Sequence, residues 1–143
     1  MNEELITINT AIIAKEKGFN EKCRDAFLDG ASVNNVGCSA IDDLLTNKDL
    51  HKHINNNSYS RPTQSLLQKW LREKHNLIVE PQIYNTEKYK LYYAVGIVFT
   101  ESLEKEFLGP NDKGINFQLG KMFTSYENAL EAGLQEALKQ IKQ

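Results

Sequence analysis

A chain of 143 residues is the length of one ordinary domain, and 41% hydrophobic with 25% charged residues is the composition of a protein that packs a core. A net charge of −2 at pH 7 removes the strong basic field that a nucleic-acid or anionic-membrane partner would require. The balance holds along the chain: residues 1–61 carry 7 basic and 9 acidic side chains, and residues 62–143 carry 10 of each.

Glu3 and Glu4 stand where a secretory signal would place Lys or Arg, and no stretch approaches the roughly 18 apolar residues of a membrane span. The expectation is a soluble, intracellular protein without membrane contact, whose two cysteines, Cys23 and Cys38, stay thiols. Thr7 is placed to cap a helix running to about residue 17, with Ile8, Ala11, Ile12 and Lys15 on one face and Gly18 as the left-handed stop. From Phe19 to Gly37 the apolar residues lose periodicity while Gly30, Asn34, Asn35 and Gly37 favour turns, so irregular structure with at most a short strand is expected. Ser39 and Asp42 have capping-box spacing and predict a short helix over residues 40–45. Residues 46–60, with Asn55, Asn56 and Asn57 in a row, read as a linker or surface loop.

Pro62 suits a first helical turn, where no amide hydrogen is needed. Leu66, Leu67, Trp70 and Leu71 then form one apolar stripe, with Gln68, Lys69, Arg72 and Glu73 opposite and Asn76 as the stop. Residues 77–84 contain Pro81 and suit an edge strand. The strongest strand signal follows, where Tyr89, Leu91, Tyr93, Val95, Ile97 and Phe99 alternate with Lys90, Tyr92, Ala94, Gly96, Val98 and Thr100. A turn at Gly109-Pro110-Asn111-Asp112 and the alternation of Ile115, Phe117, Leu119 and Phe123 predict a third strand. Thr124-Ser125-Tyr126-Glu127 reads as a capping box ahead of a helix whose inner face holds Leu130, Leu134, Leu138 and Ile141.

The predicted fold class is α+β. Residues 62–143 form a domain of one helix, a three-stranded antiparallel meander and a second helix, both helices on one face, and residues 1–61 form a helical and irregular extension. Trp70 is expected in the core.

Cys23, Cys38, His51 and His53 are the residue types of tetrahedral zinc, but fourteen residues separate the cysteines, where structural sites use pairs two to four apart. No metal site follows from this spacing. A thiol hydrolase would need Cys23 or Cys38 beside His51 or His75, and no local signature joins them. Asp42 and Asp43, as neighbours, would diverge on a helix by about 100° and fit a helix N-terminus better than acid–base chemistry. There is no phosphate-binding glycine loop, nucleophile-elbow serine or His-Glu-x-x-His, so no catalytic residue and no cofactor are assigned. If Tyr89, Leu91 and Tyr93 face the helices, the opposite sheet face shows Tyr92, Ala94 and Val98, joined by Met122. That face is apolar enough to be covered, by the N-terminal segment or by a protein partner or second copy.

The order of elements over residues 62–142 resembles the double-stranded RNA-binding domain. That resemblance implies nucleic-acid contacts on the first helix, the first strand loop and a lysine-rich start of the last helix. Lys69, Arg72 and Lys90 would carry them here; the last helix opens without Lys or Arg before Lys139. At the level of residues, Pro62-Thr63-Gln64-Ser65-Leu66-Leu67-Gln68-Lys69-Trp70-Leu71-Arg72-Glu73-Lys74-His75 and residues 124–141 resemble a group of small proteins encoded by phages and prophages of Bacteroidetes. Leu5-Ile6-Thr7 and Ala14-Lys15-Glu16-Lys17-Gly18-Phe19 are similar to the same group. The resemblance implies a phage-derived accessory protein in a bacterial cytoplasm and carries no catalytic residues. The expected function is therefore a non-enzymatic binding protein, with protein or self-association ahead of a nucleic-acid-binding module and of a cysteine-dependent hydrolase.

Overall fold

The computed structural model describes residues 3–34, 44–86, 90–99, 104–108 and 122–142. These residues form four helices and two three-stranded antiparallel sheets, an α+β architecture, divided into two units at residues 66 and 67.

In the first unit, helix α1 (Ile8–Glu16) follows Thr7 and ends before Gly18, whose φ of +91° is left-handed backbone that glycine adopts without a side-chain clash. Its buried face is Thr10, Ala11 and Ala14, the smaller residues, and Ile8 and Ile12 are only half-buried. The expected irregular stretch is a hairpin. Strands β1 (Asp25–Leu28) and β2 (Ala31–Val33) are joined by Asp29 and Gly30 with φ of +50° and +87°, the two-residue turn whose twist matches the flanking strands.

Of the helix expected over residues 40–45, residues 40–43 lie outside the described residues. Leu45 is extended and exchanges main-chain hydrogen bonds with Cys23 at 2.9 and 3.2 Å. The expected box of Ser39 and Asp42 lies outside the described residues, and a second capping box opens the next helix. Thr46 Oγ1 accepts the Asp49 amide while Asp49 Oδ2 accepts the Thr46 amide, opening helix α2 (Asn47–His53). The expected linker is thus helix α2 and strand β3 (Ser58–Arg61), which pairs with β1 to give the order β2-β1-β3. The asparagine run is ordered by its own side chains: Asn55 Oδ1 accepts the Asn57 amide and the Ser58 hydroxyl, and Asn55 Nδ2 donates to Asp29. Helices α1 and α2 both pack on β3.

Asn47 ties this unit together from inside. Its buried side chain donates to Phe19 O at 2.7 Å and accepts the Ser60 amide at 2.8 Å, linking the loop after α1, helix α2 and β3. Lys15 Nζ donates to Asn56 O and Ser58 O and lies 4.9 Å from the centre of the Tyr59 ring, with its pKa lowered by burial. The N-terminal segment pairs beside Thr63, with the Ile6 amide on Pro62 O and the Gln64 amide on Glu4 O.

Helix α3 (Gln64–His75) begins in the first unit and ends in the second. Thr63 Oγ1 accepts the Leu66 amide, so Pro62 precedes the cap and is not in the first turn. Leu67, Trp70 and Leu71 are buried, and Asn76 ends the helix at φ +56°, as its sequence signal predicts. Strands β4 (Leu77–Thr86), β5 (Lys90–Phe99) and β6 (Glu104–Leu108) follow in the order β4-β5-β6. The third strand therefore lies before the predicted one. Residues 115–121 of the prediction are outside the described residues, and Phe123 contributes a single antiparallel pairing with Tyr93.

Helix α4 (Tyr126–Gln140) is capped by Ser125, one residue later than the capping box read from Thr124, with Ser125 Oγ accepting the Asn128 amide. Its Leu130, Leu134 and Leu138 are buried, as is Ile141 just past its end, and the helix packs on β4 and β5. Contact is tight at Gly133, where a Cβ would fall well inside van der Waals contact with a Val95 methyl and 2.7 Å from Val79 Cγ1.

Two substitutions check this core. Trp70 is 6% exposed and sits 4.5 Å from His75, ring centre to ring centre, so Trp70→Ala is expected to cost about 3–5 kcal/mol in urea unfolding. Gly133→Ala gains roughly 1 kcal/mol of helix propensity but must displace two β-branched side chains held stiff at χ1. Overpacking of about 1–3 kcal/mol wins, so a net loss is expected, and a variant as stable as the parent would show that α4 can lift off the sheet.

Candidate interaction surface

Hydrogen bonding between Tyr93 and Phe123 sets which way every β4 main-chain group points. Tyr93 N donates to Phe123 O at 2.8 Å and Phe123 N donates to Tyr93 O at 2.9 Å. Both main-chain groups of Tyr93 thus point away from β4, and Ile83↔Tyr93 is a non-hydrogen-bonded pair of the β4–β5 ladder. By alternation, Val79, Pro81, Ile83 and Asn85 direct their main-chain groups to the outer edge of β4. Pro81 fits there because the missing amide hydrogen is not required by β5. Val79 O is taken by Gln68 Nε2 at 2.6 Å.

The same register sorts the side chains. Val79, Pro81, Ile83, Leu91, Tyr93, Val95 and Ile97 share the face on which α4 lies, since Gly133 meets Val79 and Val95. Helix α4 begins at Tyr126, whose ring meets that of Tyr93 edge-on with centroids 6.5 Å apart. Beyond this start the sheet is bare: Ile83 is 62% exposed, Leu91 58% and Tyr126 44%. Ile83 and Leu91 are diagonal neighbours, roughly 7–8 Å apart, so with Tyr93 and Tyr126 they form one apolar patch. Leu91 was expected beneath a helix; α4 starts too late to reach it.

The opposite face holds the residues singled out by sequence. Tyr92 stacks on Tyr84 with ring centroids 5.4 Å apart and is half-buried, as is Val98, while Ala94 is buried. Met122, next to Phe123, falls opposite Ala94 by register and is 41% exposed. These four share a face, on which Tyr92 is partly closed by its stack with Tyr84 and Met122 remains exposed. Lys69 and Arg72 are exposed on α3, with Lys69 Nζ 4.0 Å from Glu73; Lys90 opens β5 opposite Thr86, and its side chain lies outside the described atoms.

In the first unit a cleft of about 340 Å³ is lined by Lys15, Phe19, Asn20, Asn47, Lys48 and His51. Its polar atoms are largely engaged with the protein itself: Asn47 and Lys15 as above, and Asn20 Oδ1 accepting the Lys48 amide. Cys23 is buried, and Cys38 and the His53 side chain lie outside the description. Burial pushes the Cys23 thiol from 9.0 up to about 12; the Ser60 hydroxyl offsets this in part, and the Asp25 and Glu21 carboxylates add to the rise. Such a thiol carries almost no thiolate at neutral pH and is a poor nucleophile and metal ligand. Among the described residues no group of three His, Cys, Asp or Glu could hold a metal ion, and no helix is long and apolar enough to cross a membrane. No protein-family model, curated protein or solved structure matches the chain.

The state of Cys23 is directly measurable. At pH 8 iodoacetamide should leave it unmodified in the folded protein and label it in urea, with peptide mapping separating it from Cys38; rapid labelling of the native protein would contradict its burial. Between pH 9 and 12 the folded state keeps a proton that the unfolded chain gives up. Stability relative to Cys23→Ala should therefore fall as pH rises through that window.

Proposed function

We propose that the chain is a non-catalytic protein-interaction module, a phage-derived accessory protein of a bacterial cytoplasm, and that it binds through the patch of Ile83, Leu91, Tyr93 and Tyr126. The observation that carries this reading is the concentration of exposed apolar side chains beyond the start of α4. Contiguous apolar surface is costly to leave in water, and aromatic residues with rigid neighbours are the usual anchors of protein contacts. The segments similar to phage and prophage proteins support the accessory role. This surface lies on the face bearing α4; on the opposite face Ala94 is buried, Tyr92 and Val98 are half-buried and Met122 is 41% exposed.

The nucleic-acid alternative draws on the order of elements read from the sequence over residues 62–142, which resembles that of double-stranded RNA-binding domains. Its charges do not favour it: Lys69 lies beside Glu73, and Lys139 lies 3.7 Å from Glu136. The hydrolase alternative loses Cys23 as a nucleophile through its raised pKa.

Matched affinity captures from prophage-carrying cells test the proposal, using the wild-type chain and the double variant Leu91→Ser, Tyr126→Ser. Both side chains are exposed, so the variant should melt near wild type. A protein retained by the wild type should be reduced tenfold or more by the variant. Equal retention by both baits, or nuclease-sensitive retention of nucleic acid in place of protein, would overturn the reading.

A further inference from the structure

We propose that the outer edge of β4 pairs antiparallel with β4 of a second copy, centred on Ile83, so that the two three-stranded sheets join into one. This rests on the interaction reading and adds to it a second element of contact, the strand edge beside the same patch. Ile83 and Asn85 direct both main-chain groups outward, and among the described residues no hydrogen bond is made to them. An unpaired edge beside an exposed apolar side chain is a template for another strand. Toward the other end the edge is closed, because Val79 O is held by Gln68 and Pro81 has no donor.

Those limits select the register. With Ile83 opposite Ile83 of the second copy, the two residues exchange two hydrogen bonds, and each Asn85 amide reaches a Pro81 carbonyl across the axis. Every outward donor from residue 81 to 85 then has an acceptor, and the missing Pro81 hydrogen falls where only an Asn85 carbonyl is left to water. Charge is also compatible with a second copy. Residues 81–86 carry no charge, and Glu80, at the end of the stretch, falls opposite Thr86 of the other copy and not opposite a second Glu80. Nothing on this edge recruits a partner by charge, whereas two-fold symmetry supplies matching donors and acceptors from one sequence. On the helix-bearing face the pairing brings the two Ile83 side chains together, each 62% exposed in the single chain.

Sedimentation of the full chain across a concentration series should show a monomer–dimer equilibrium. Asn85→Pro removes an outward amide that β5 does not use and leaves the apolar patch unchanged, so the dimer should weaken roughly tenfold or more with little change in melting temperature. In a Cys23→Ser, Cys38→Ala background, Ile83→Cys should form a disulfide-linked dimer on mild oxidation, since directly opposed hydrogen-bonded residues lie about 5.5 Å apart at Cα. Leu91→Cys, exposed in the same patch but away from the edge, should not. Cross-linking of Leu91→Cys as fast as Ile83→Cys would mean that the patches meet face to face, which overturns edge pairing and leaves the apolar surface as the contact. A chain monomeric at every concentration, with neither variant cross-linking, overturns self-pairing; the matched captures then decide separately whether the patch binds another protein.

Discussion

The second unit depends on the reciprocal hydrogen bonds between Tyr93 and Phe123. A strand has only two hydrogen-bonding phases, and committing both main-chain groups of one β5 residue to one neighbour commits the alternate residues to the other. From that pair follow the tolerated position of Pro81, the outward carbonyl that Gln68 reaches, and the open groups at Ile83 and Asn85. On this side of β5, Leu108 of β6 lies opposite Val95 and Phe123 lies opposite Tyr93, the next place along the ladder that faces the same way. Phe123 thus continues the pairing on that side and starts α4 from a fixed point on the sheet.

Where α4 starts determines what the sheet exposes. Gly133 lets the helix backbone approach Val79 and Val95 closely, so the helix axis is pinned over the middle of the β4–β5 pair. Tyr126, seven residues earlier, meets Tyr93 and marks the end of helical cover. Sheet residues beyond that point keep the alternation of a buried face without a helix above them. The patch of Ile83 and Leu91 results from a sheet longer than the helix that covers it.

Much of this was legible as pattern, and the departures have physical causes. Helix α3, strand β5, the stop at Asn76 and the leucines of α4 have long periodic signals, and they lie where periodicity puts them. The β1–β2 hairpin was missed because strands of four and three residues show no alternation, although Asp29-Gly30 is a strong two-residue turn signal. The capping box of Thr46 and Asp49 has the same spacing as the one read at Ser39 and Asp42, but it lies in a stretch rich in asparagine and serine that reads as a loop. Strand β6 is Glu-Lys-Glu-Phe-Leu, whose charges hide its pairing with β5. Exposure of Leu91 could not be read locally, because it depends on where α4 starts over the sheet, at Tyr126, far along the chain from Leu91.

Polar groups in the described residues are used mainly to hold the chain together. Asn47 joins three segments, Lys15 closes the turn before β3, and Arg61 donates to Ile6 O while its guanidinium covers Phe27. Each such side chain gains directed bonds to carbonyls or ring faces and thereby loses the freedom to exchange a proton or orient a substrate. Cys23 is held as a thiol by the same burial that makes it part of the core. On the second unit's surface the unmatched groups are of a different kind: apolar area at Ile83 and Leu91, and main-chain donors and acceptors along a short edge beside them. Groups of that type confer no reactivity but can be satisfied by another polypeptide, because a strand supplies hydrogen bonds and apolar contact in one register.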